Sequence, residues 1–221
     1  MDEKAPVRRT RLTAEQRRES ILKAAVEVFT ATGYRAGKVS DVAARVGVSE
    51  PVIFQNFGSK AALFAAVLHR VAGDVRAELQ TLVEHFGSVS DLLAHALSPS
   101  HAGGPHPPGS HGVLFADAAT LTAEPDLTEP ARRAVRTVAG HLADLLRRGQ
   151  ADGDIRTDLD PEAAAWLLLS VLSARPLHAA AMPDRDRLEG AVAALALRAL
   201  VSPAPAALPI RHEDHDQAYH G

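Results

Sequence analysis

The 221-residue chain holds 24 Lys and Arg against 27 Asp and Glu, a net charge of −3, with 46% hydrophobic and 23% charged residues and no cysteine. This is an ordinary globular composition with length enough for a real core, and the missing cysteine excludes disulfides, thiolate metal sites and cysteine nucleophiles. The opening MDEKAPVRRTR lacks the apolar stretch of a signal peptide, and no run reaches the roughly 18 to 20 apolar residues of a membrane span, so a cytoplasmic protein with no membrane partner is expected.

Charge is segregated along the chain: up to residue 65 there are 11 Lys and Arg against 7 Asp and Glu, and beyond it 13 against 20. A basic end on an acidic body fits one part that touches phosphate and another that does not. Ala and Leu recur with few β-branched stretches, which predicts an all-α chain. Residues 1–12 form a flexible basic arm. Thr13, followed three residues later by Gln16, predicts a capping box, and Ile21, Leu22, Ala25, Val28 and Phe29 recur at helical spacing until Gly33 stops the first helix. A second helix is expected to open at a Ser40 cap and end at Gly47, and a third runs from a Ser49 cap to Gly58. The fourth starts from Ser59 and carries Leu63, Phe64, Val67, Leu68, Val71, Val75, Leu79 and Leu82, with Gly73 a place to bend.

Further on, a helix over Asp91–Leu97 is followed by a Gly/Pro/Ser/His loop from Pro99 to Gly112 and a candidate helix from Val113 to Leu121. A longer helix from about Thr128 to Arg148 should end at Gly149 and Gly153. Asp160 before Pro161 starts AAAWLLLSVLSA, apolar on nearly every side up to Pro176, which needs burial all round. A last helix spans Asp184 to Val201, and residues 203–221 form a disordered tail. The domain division expected is therefore 13–65 and 66–202, between the arm and the tail.

The stretch SDVAARVGVSEPVIFQNF, residues 40–57, has helix-turn-helix spacing. Ala43 lies where two helices cross and only a small side chain fits, and Gly47 supplies the positive φ of the sharp turn. Val42, Val46, Val48 and Ile53 form the small core that leaves the outer face of the third helix free for a major groove. A helical hairpin of purely structural role can share this spacing.

The continuation NFGSKAAL and the preceding FTATGYRAGKVSDVA extend the pattern, and over about Arg17 to Leu68 the chain resembles the N-terminal domain of TetR-family repressors. The resemblance implies groove contacts from Glu50, Pro51, Val52 and Gln55. Gln55 is the best base reader, because its amide pairs bidentately with adenine, whereas Glu50 only accepts. Phosphate contacts are implied for Ser40, Ser49, Lys60 and the N-terminus of the fourth helix, although the serines also suit capping alone. Two residues depart from the family: Phe54 stands where a tyrosine is common, and Asn56 where a histidine or tyrosine is. Arg8, Arg9 and Arg11 are either minor-groove contacts or a solvated basic leader.

For the acidic half, the resemblance implies a domain that binds a small-molecule effector and dimerises through the helices at Pro161–Pro176 and Asp184–Val201. The ligand-lining residues expected are Phe86, Leu93, Phe115, Leu121, His141, Leu142, Trp166 and Ser173, each of which also suits core packing. No serine or histidine spacing suggests catalysis, so neither an enzyme nor a cofactor is expected. His101, His106, His111, His212, His215 and His220 lack the carboxylate pattern of a metal site. The partners expected are double-stranded DNA with a palindromic operator, an effector that releases it, and a second copy of the chain. A constitutive DNA binder without a ligand, and a helical enzyme or carrier with a structural helix-turn-helix, are the alternatives.

Overall fold

The computed structural model describes residues 13–98, 114 and 124–201. Among them are nine helices and no strand: α1 (Ala14–Ala36), α2 (Val39–Val46), α3 (Glu50–Phe57), α4 (Lys60–Phe86), α5 (Val89–Leu97), α6 (Pro125–Asp152), α7 (Pro161–Ser173), α8 (Arg175–Ala181) and α9 (Arg185–Leu200). The arm, the Gly/Pro loop, the tail, most of the candidate helix at Val113–Leu121 and the loop and tail histidines lie outside the described residues, although Leu114 is helical and fully buried.

The first helix begins as its sequence dictates. The Gln16 amide donates to the Thr13 hydroxyl at 3.1 Å while the Thr13 amide donates to Gln16 Oε1 at 3.0 Å, so two amides that lack helical partners satisfy each other's caps. Gly33 breaks the helix, with φ 71° and ψ 177°, yet one further turn follows to Ala36 before Gly37 closes it onto the Gly33 carbonyl. Gly33 is thus a joint rather than the stop expected. Ile21, Ala25, Val28 and Phe29 of α1 pack on Leu63, Phe64, Val67 and Leu68 of α4, and Phe29 meets Phe64 edge to face at 5.2 Å.

Helix α4 runs unbroken through Gly73 from its Ser59 cap, where the hydroxyl accepts from the Ala62 amide at 3.0 Å. Past Val71 its apolar side is less covered: Val75 and Leu79 are half-buried, Val83 is buried and Leu82 is exposed. Helix α5 starts two residues earlier than its sequence suggested, from a Ser88 cap. Its first amide, Val89, donates to Asp154 at 3.0 Å and ties it to the turn after α6.

Helix α6 starts at Pro125 rather than Thr128 and carries Pro130 inside it. Gly149 does not end it: this residue is buried within the last turn, where an added Cβ would sit 2.5 Å from Ile155 Cγ1, and Gly153 is the C-cap. Glycine is required there by close approach and not by a turn. The next turn is clasped to the end of α9, as the Arg156 amide donates to the Leu200 carbonyl at 3.0 Å and Ile155 bridges Val201.

Pro176 is likewise no terminus, since a second short helix, α8, forms around it. Helix α7 buries Ala164, Ala165 and Leu168 but leaves Trp166 48% and Leu167 42% exposed, so the burial all round expected of it is absent within one chain. Leu177 and Leu195 are exposed at 66% and 61% on α8 and α9. Glu189 of α9 is buried, accepts from Arg185 Nε at 3.1 Å, and lies 3.8 Å from His178 Nδ1, while Arg175 donates to the Ala96 carbonyl of α5. No single helix among the described residues is long and apolar enough to cross a membrane.

Candidate nucleic-acid interface

The helix-turn-helix is built from few constraints. Val42, Ala43 and Ile53 are at most 3% exposed, with Val46 and Val48 half-buried against them, so α2 and α3 share a small dry core. Gly47 adopts φ 74° and ψ 37°, and its amide and that of Val48 both donate to the Ala43 carbonyl, at 2.9 and 3.0 Å. No heavy atom lies within 4 Å of a Cβ placed on Gly47, so its left-handed backbone, and not crowding, demands glycine. Gly58, at φ 82°, makes the next corner, and α3 and α4 cross at 65°.

This packing turns one face of α3 outward. Glu50, Pro51, Phe54 and Gln55 are exposed and Val52 is half-buried, while Ile53 and Phe57 face in. The structure therefore brings the four groove candidates together on one short helix, with Phe54, 40% exposed, beside them. An exposed phenyl ring on that surface suits contact with sugar or a thymine methyl.

The remaining DNA candidates are placed less simply. Ser40 is not a cap: Lys38 holds that position, α2 begins at Val39, and Ser40 is an exposed residue of the first turn. Ser49 does stand at the N-cap of α3, but its side chain makes no capping bond, which leaves the hydroxyl for another acceptor or donor. Asn56 is turned back, donating through Nδ2 to the Val52 carbonyl at 2.7 Å. Lys60 also faces inward: its ammonium lies 4.7 Å from the Tyr34 ring centroid and 3.4 Å from the Arg35 carbonyl, capping the C-terminus of α1, and burial holds its pKa below the ordinary lysine value. Arg8, Arg9 and Arg11 lie outside the described residues.

Three residues of this region went unnoticed in the sequence. Arg18 stacks on Phe57, its guanidinium carbon 4.0 Å from the ring centroid, and donates to the Asn56 carbonyl. Glu19 is held by Arg70 of α4 through two hydrogen bonds. Tyr34 meets the Phe64 ring at 4.9 Å, and its pKa is raised first by burial and then by the carboxylates of Glu124 and Asp126, which sit where α6 starts. Arg70 also pairs with Asp74 at i+4, a spacing visible in sequence, but partners tens of residues away carry no local signal.

The expected effector pocket is not assembled as read. Leu93 and Leu142 are buried, and Phe86 is half-buried against the His95 ring at 4.6 Å. Trp166 and Ser173 are exposed, and Phe115 and Leu121 lie outside the described residues. His141 is half-buried, with Nε2 buried and lacking a hydrogen-bond partner among the described residues. Among the clefts between the described helices, two are sizeable. A groove of about 380 Å³ runs between α6 and α7, past Ala139, Gly140, Ala143 and Trp166, with Arg147 bridging Asp144 and Glu162 at its edge. A cleft of about 280 Å³ lies between α4 and α6, walled by Ala65, Ala72, Gly73, Pro130 and Ala134 with His69, Arg133 and Thr137 among its walls. Among the described residues no group of His, Asp and Glu could hold a metal ion.

A short recognition helix presented on a three-helix head is the architecture of a helix-turn-helix regulator. Residues 21–67 match the family model described as bacterial regulatory proteins, tetR family. The chain is 42% identical over 82 residues to the HTH-type transcriptional activator FasR of Mycolicibacterium smegmatis, covering 35% of this chain and 37% of that one. It is 36% identical over 58 residues to the HTH-type transcriptional repressor NicS of Pseudomonas putida, covering 26% and 27%. The matched stretches thus span well under half the length of these two relatives, both regulators of transcription.

Solved structures share the fold over nearly the whole chain. A TetR-family transcriptional regulator from Cytophaga hutchinsonii superposes with a TM-score of 0.65 at 17% identity, covering 88% of this chain and all of that one. A regulator from Saccharomonospora viridis in complex with choline gives 0.63 at 17%, covering 86% and 100%, and FadR from Bacillus subtilis in complex with stearoyl-CoA gives 0.54 at 20%, covering 82% and 98%. Residues 21–67 thus resemble the N-terminal domain of the tetR family of bacterial regulatory proteins, and the chain shares its fold with solved TetR-family regulators.

Proposed function

We propose that the chain is a dimeric, cytoplasmic regulator that binds a palindromic operator through α3 and is released from it by a small-molecule effector. The observation that carries the DNA-binding part is the outward face of α3, where Glu50, Pro51, Val52 and Gln55 stand clear of the core on a helix fixed by Gly47 and Gly58. Head (13–65) and effector half (66–202) are joined by α4. Two copies place two such faces about one DNA turn apart, which matches two-fold symmetric half-sites.

The exposed Trp166, Leu167, Leu177 and Leu195 on α7 to α9 supply an apolar surface of the kind a second copy covers. For the effector, the cleft between α4 and α6 has the better position: Ala65 on its wall borders the head, and the start of α6 faces Tyr34 of α1. A molecule wedged there shifts α4 against α6 and with it the head, so binding selects a conformation with the wrong half-site spacing. That structural relatives of the same fold hold choline and stearoyl-CoA supports a ligand-responsive reading. Repression is favoured over activation by the wider resemblance, while the named relatives include one of each.

The test is binding of the full chain to the DNA flanking its own gene at stated salt, with and without candidate metabolites. A palindromic footprint whose affinity falls with one metabolite supports the whole reading. Footprinting insensitive to any of them favours a constitutive binder, because coupling must appear as a change in affinity.

A further inference from the structure

We infer that Arg18 of α1 is a positioning residue for the recognition helix, setting the angle at which Gln55 meets a base. The inference rests on reading α3 as the element that enters the groove, and concerns how that element is aimed.

Helix α3 has only eight residues, too few to hold its own geometry, so its aim is set by what grips its two ends. At the N-terminal end the grip is the tight turn at Gly47 and the buried Ile53; the Ser49 side chain contributes no capping bond. At the C-terminal end, Gly58 takes the Phe54 carbonyl at 2.7 Å, and Arg18 takes the Asn56 carbonyl while its flat guanidinium covers the Phe57 ring at 4.0 Å. Three features act together there: a hydrogen bond to a carbonyl the helix cannot satisfy, a cation at the negative end of the helix dipole, and a planar stack that fixes rotation about the helix axis. The Asn56 side chain itself is turned toward the preceding turn of α3, its Nδ2 donating to the Val52 carbonyl.

Arg18 is itself held in place. Its neighbour Glu19 is gripped by Arg70, which in turn reaches Asp74 at 3.3 Å, so the turn of α1 that aims α3 is fastened to α4. Gln55 stands one residue before the carbonyl that Arg18 holds. Bidentate pairing with a base tolerates little displacement, so loosening this end degrades discrimination before it degrades attachment to the duplex.

The experiment starts by enriching randomised duplexes on the wild-type full chain, then measures affinity for the enriched and a scrambled duplex over a salt series for wild type, R18K, R18A and F57L, with melting temperatures alongside. The expected result is that R18A lowers the enriched-to-scrambled affinity ratio about tenfold with the salt slope unchanged, that R18K recovers only part of it, and that R18A in an F57L background lowers it no further. Equal weakening of both duplexes with a slope reduced by about one makes Arg18 a phosphate contact and overturns the inference. A lower melting temperature with an unchanged ratio makes it merely structural and overturns it too. Failure of the wild type to enrich any consensus instead overturns the reading of α3 itself.

Discussion

Arg70 of α4 holds Glu19 of α1 by two hydrogen bonds, Nη1 to Oε2 at 3.1 Å and Nη2 to Oε1 at 2.5 Å. The guanidinium favours the ionised carboxylate, so the Glu19 pKa lies below its ordinary 4.5 and that of Arg70 is raised. A carboxyl with a depressed folded-state pKa contributes stability that is complete above the unfolded value and vanishes as pH falls through the folded one. Glu19→Gln should therefore lower Tm slightly near neutrality, slightly because both side chains are largely exposed, and the gap to wild type should close in acid. Thermal unfolding followed from pH 7 down to pH 3 checks this; a gap that persists once Glu19 is protonated rules out the ion pair as its source.

Two glycines within helices should respond oppositely to alanine. At Gly149 the new Cβ would lie 2.5 Å from Ile155 Cγ1 and 3.1 Å from Val89 Cβ, both buried, so Gly149→Ala is expected to cost about 1–3 kcal/mol. At Gly73 a Cβ meets nothing within 4 Å, and Gly73→Ala should stabilise by roughly 0.5–1 kcal/mol through helix propensity. Urea unfolding of both variants decides the matter, and a destabilised Gly73→Ala would contradict the open environment seen there.

On the reading face, Gln55→Ala should relax preference at one base pair by about 1–3 kcal/mol while leaving affinity for scrambled duplex intact. Lys60→Ala is expected to weaken all sequences alike, through a lost phosphate charge or a loosened end of α1. Competition binding with single-base operator variants separates the two effects, and uniform loss for Gln55→Ala removes that residue as a reader.

Charge placed on the exposed apolar surface should separate the two copies. Trp166→Glu and Leu195→Glu are expected to shift sedimentation from dimer to monomer and to weaken operator binding, since each copy then holds only one half-site. Wild-type Tm should rise with protein concentration, and that dependence should disappear in the variants. A wild type that sediments as a monomer at micromolar concentration would reject this surface as the interface.

The reading head was legible because its signals are local. Thr13 with Gln16, the 3.6-residue repeat of Ile21 to Phe29, Gly47 and the Ser59 cap each act within one or two turns, and each is found where the sequence put it. Ser40 misled because Val39, one residue earlier, already buries itself as the first residue of α2, moving the cap to Lys38. Gly149 misled for another reason: its lack of a side chain serves Ile155 and Val89, neighbours in space that no periodicity displays. The cleft between α4 and α6 was least legible, since its walls pair residues of α4 with residues of α6 some sixty positions later. Trp166 reads in the sequence as a ligand-lining residue that also suits core packing, because the helix around it is apolar, and only the packed fold shows which of its faces remains uncovered.

Helix α4 offers no soft point, for its 27 residues pass through Gly73 without a break. At 1.5 Å per residue it is a strut about 40 Å long, and a tilt of about 5° at one end carries the other end through roughly 3.5 Å. That travel exceeds the tolerance of a hydrogen bond, so a change too small to alter the shape of the effector half is large enough to unseat a base contact. Because an unbroken helix stores little of an imposed displacement as bending, resistance to such a tilt resides in the contacts that clamp the N-terminal half of α4 to α1, above all Glu19 with Arg70 and Phe29 with Phe64, and on the proposed effector reading substitutions there should retune sensitivity without touching ligand or DNA.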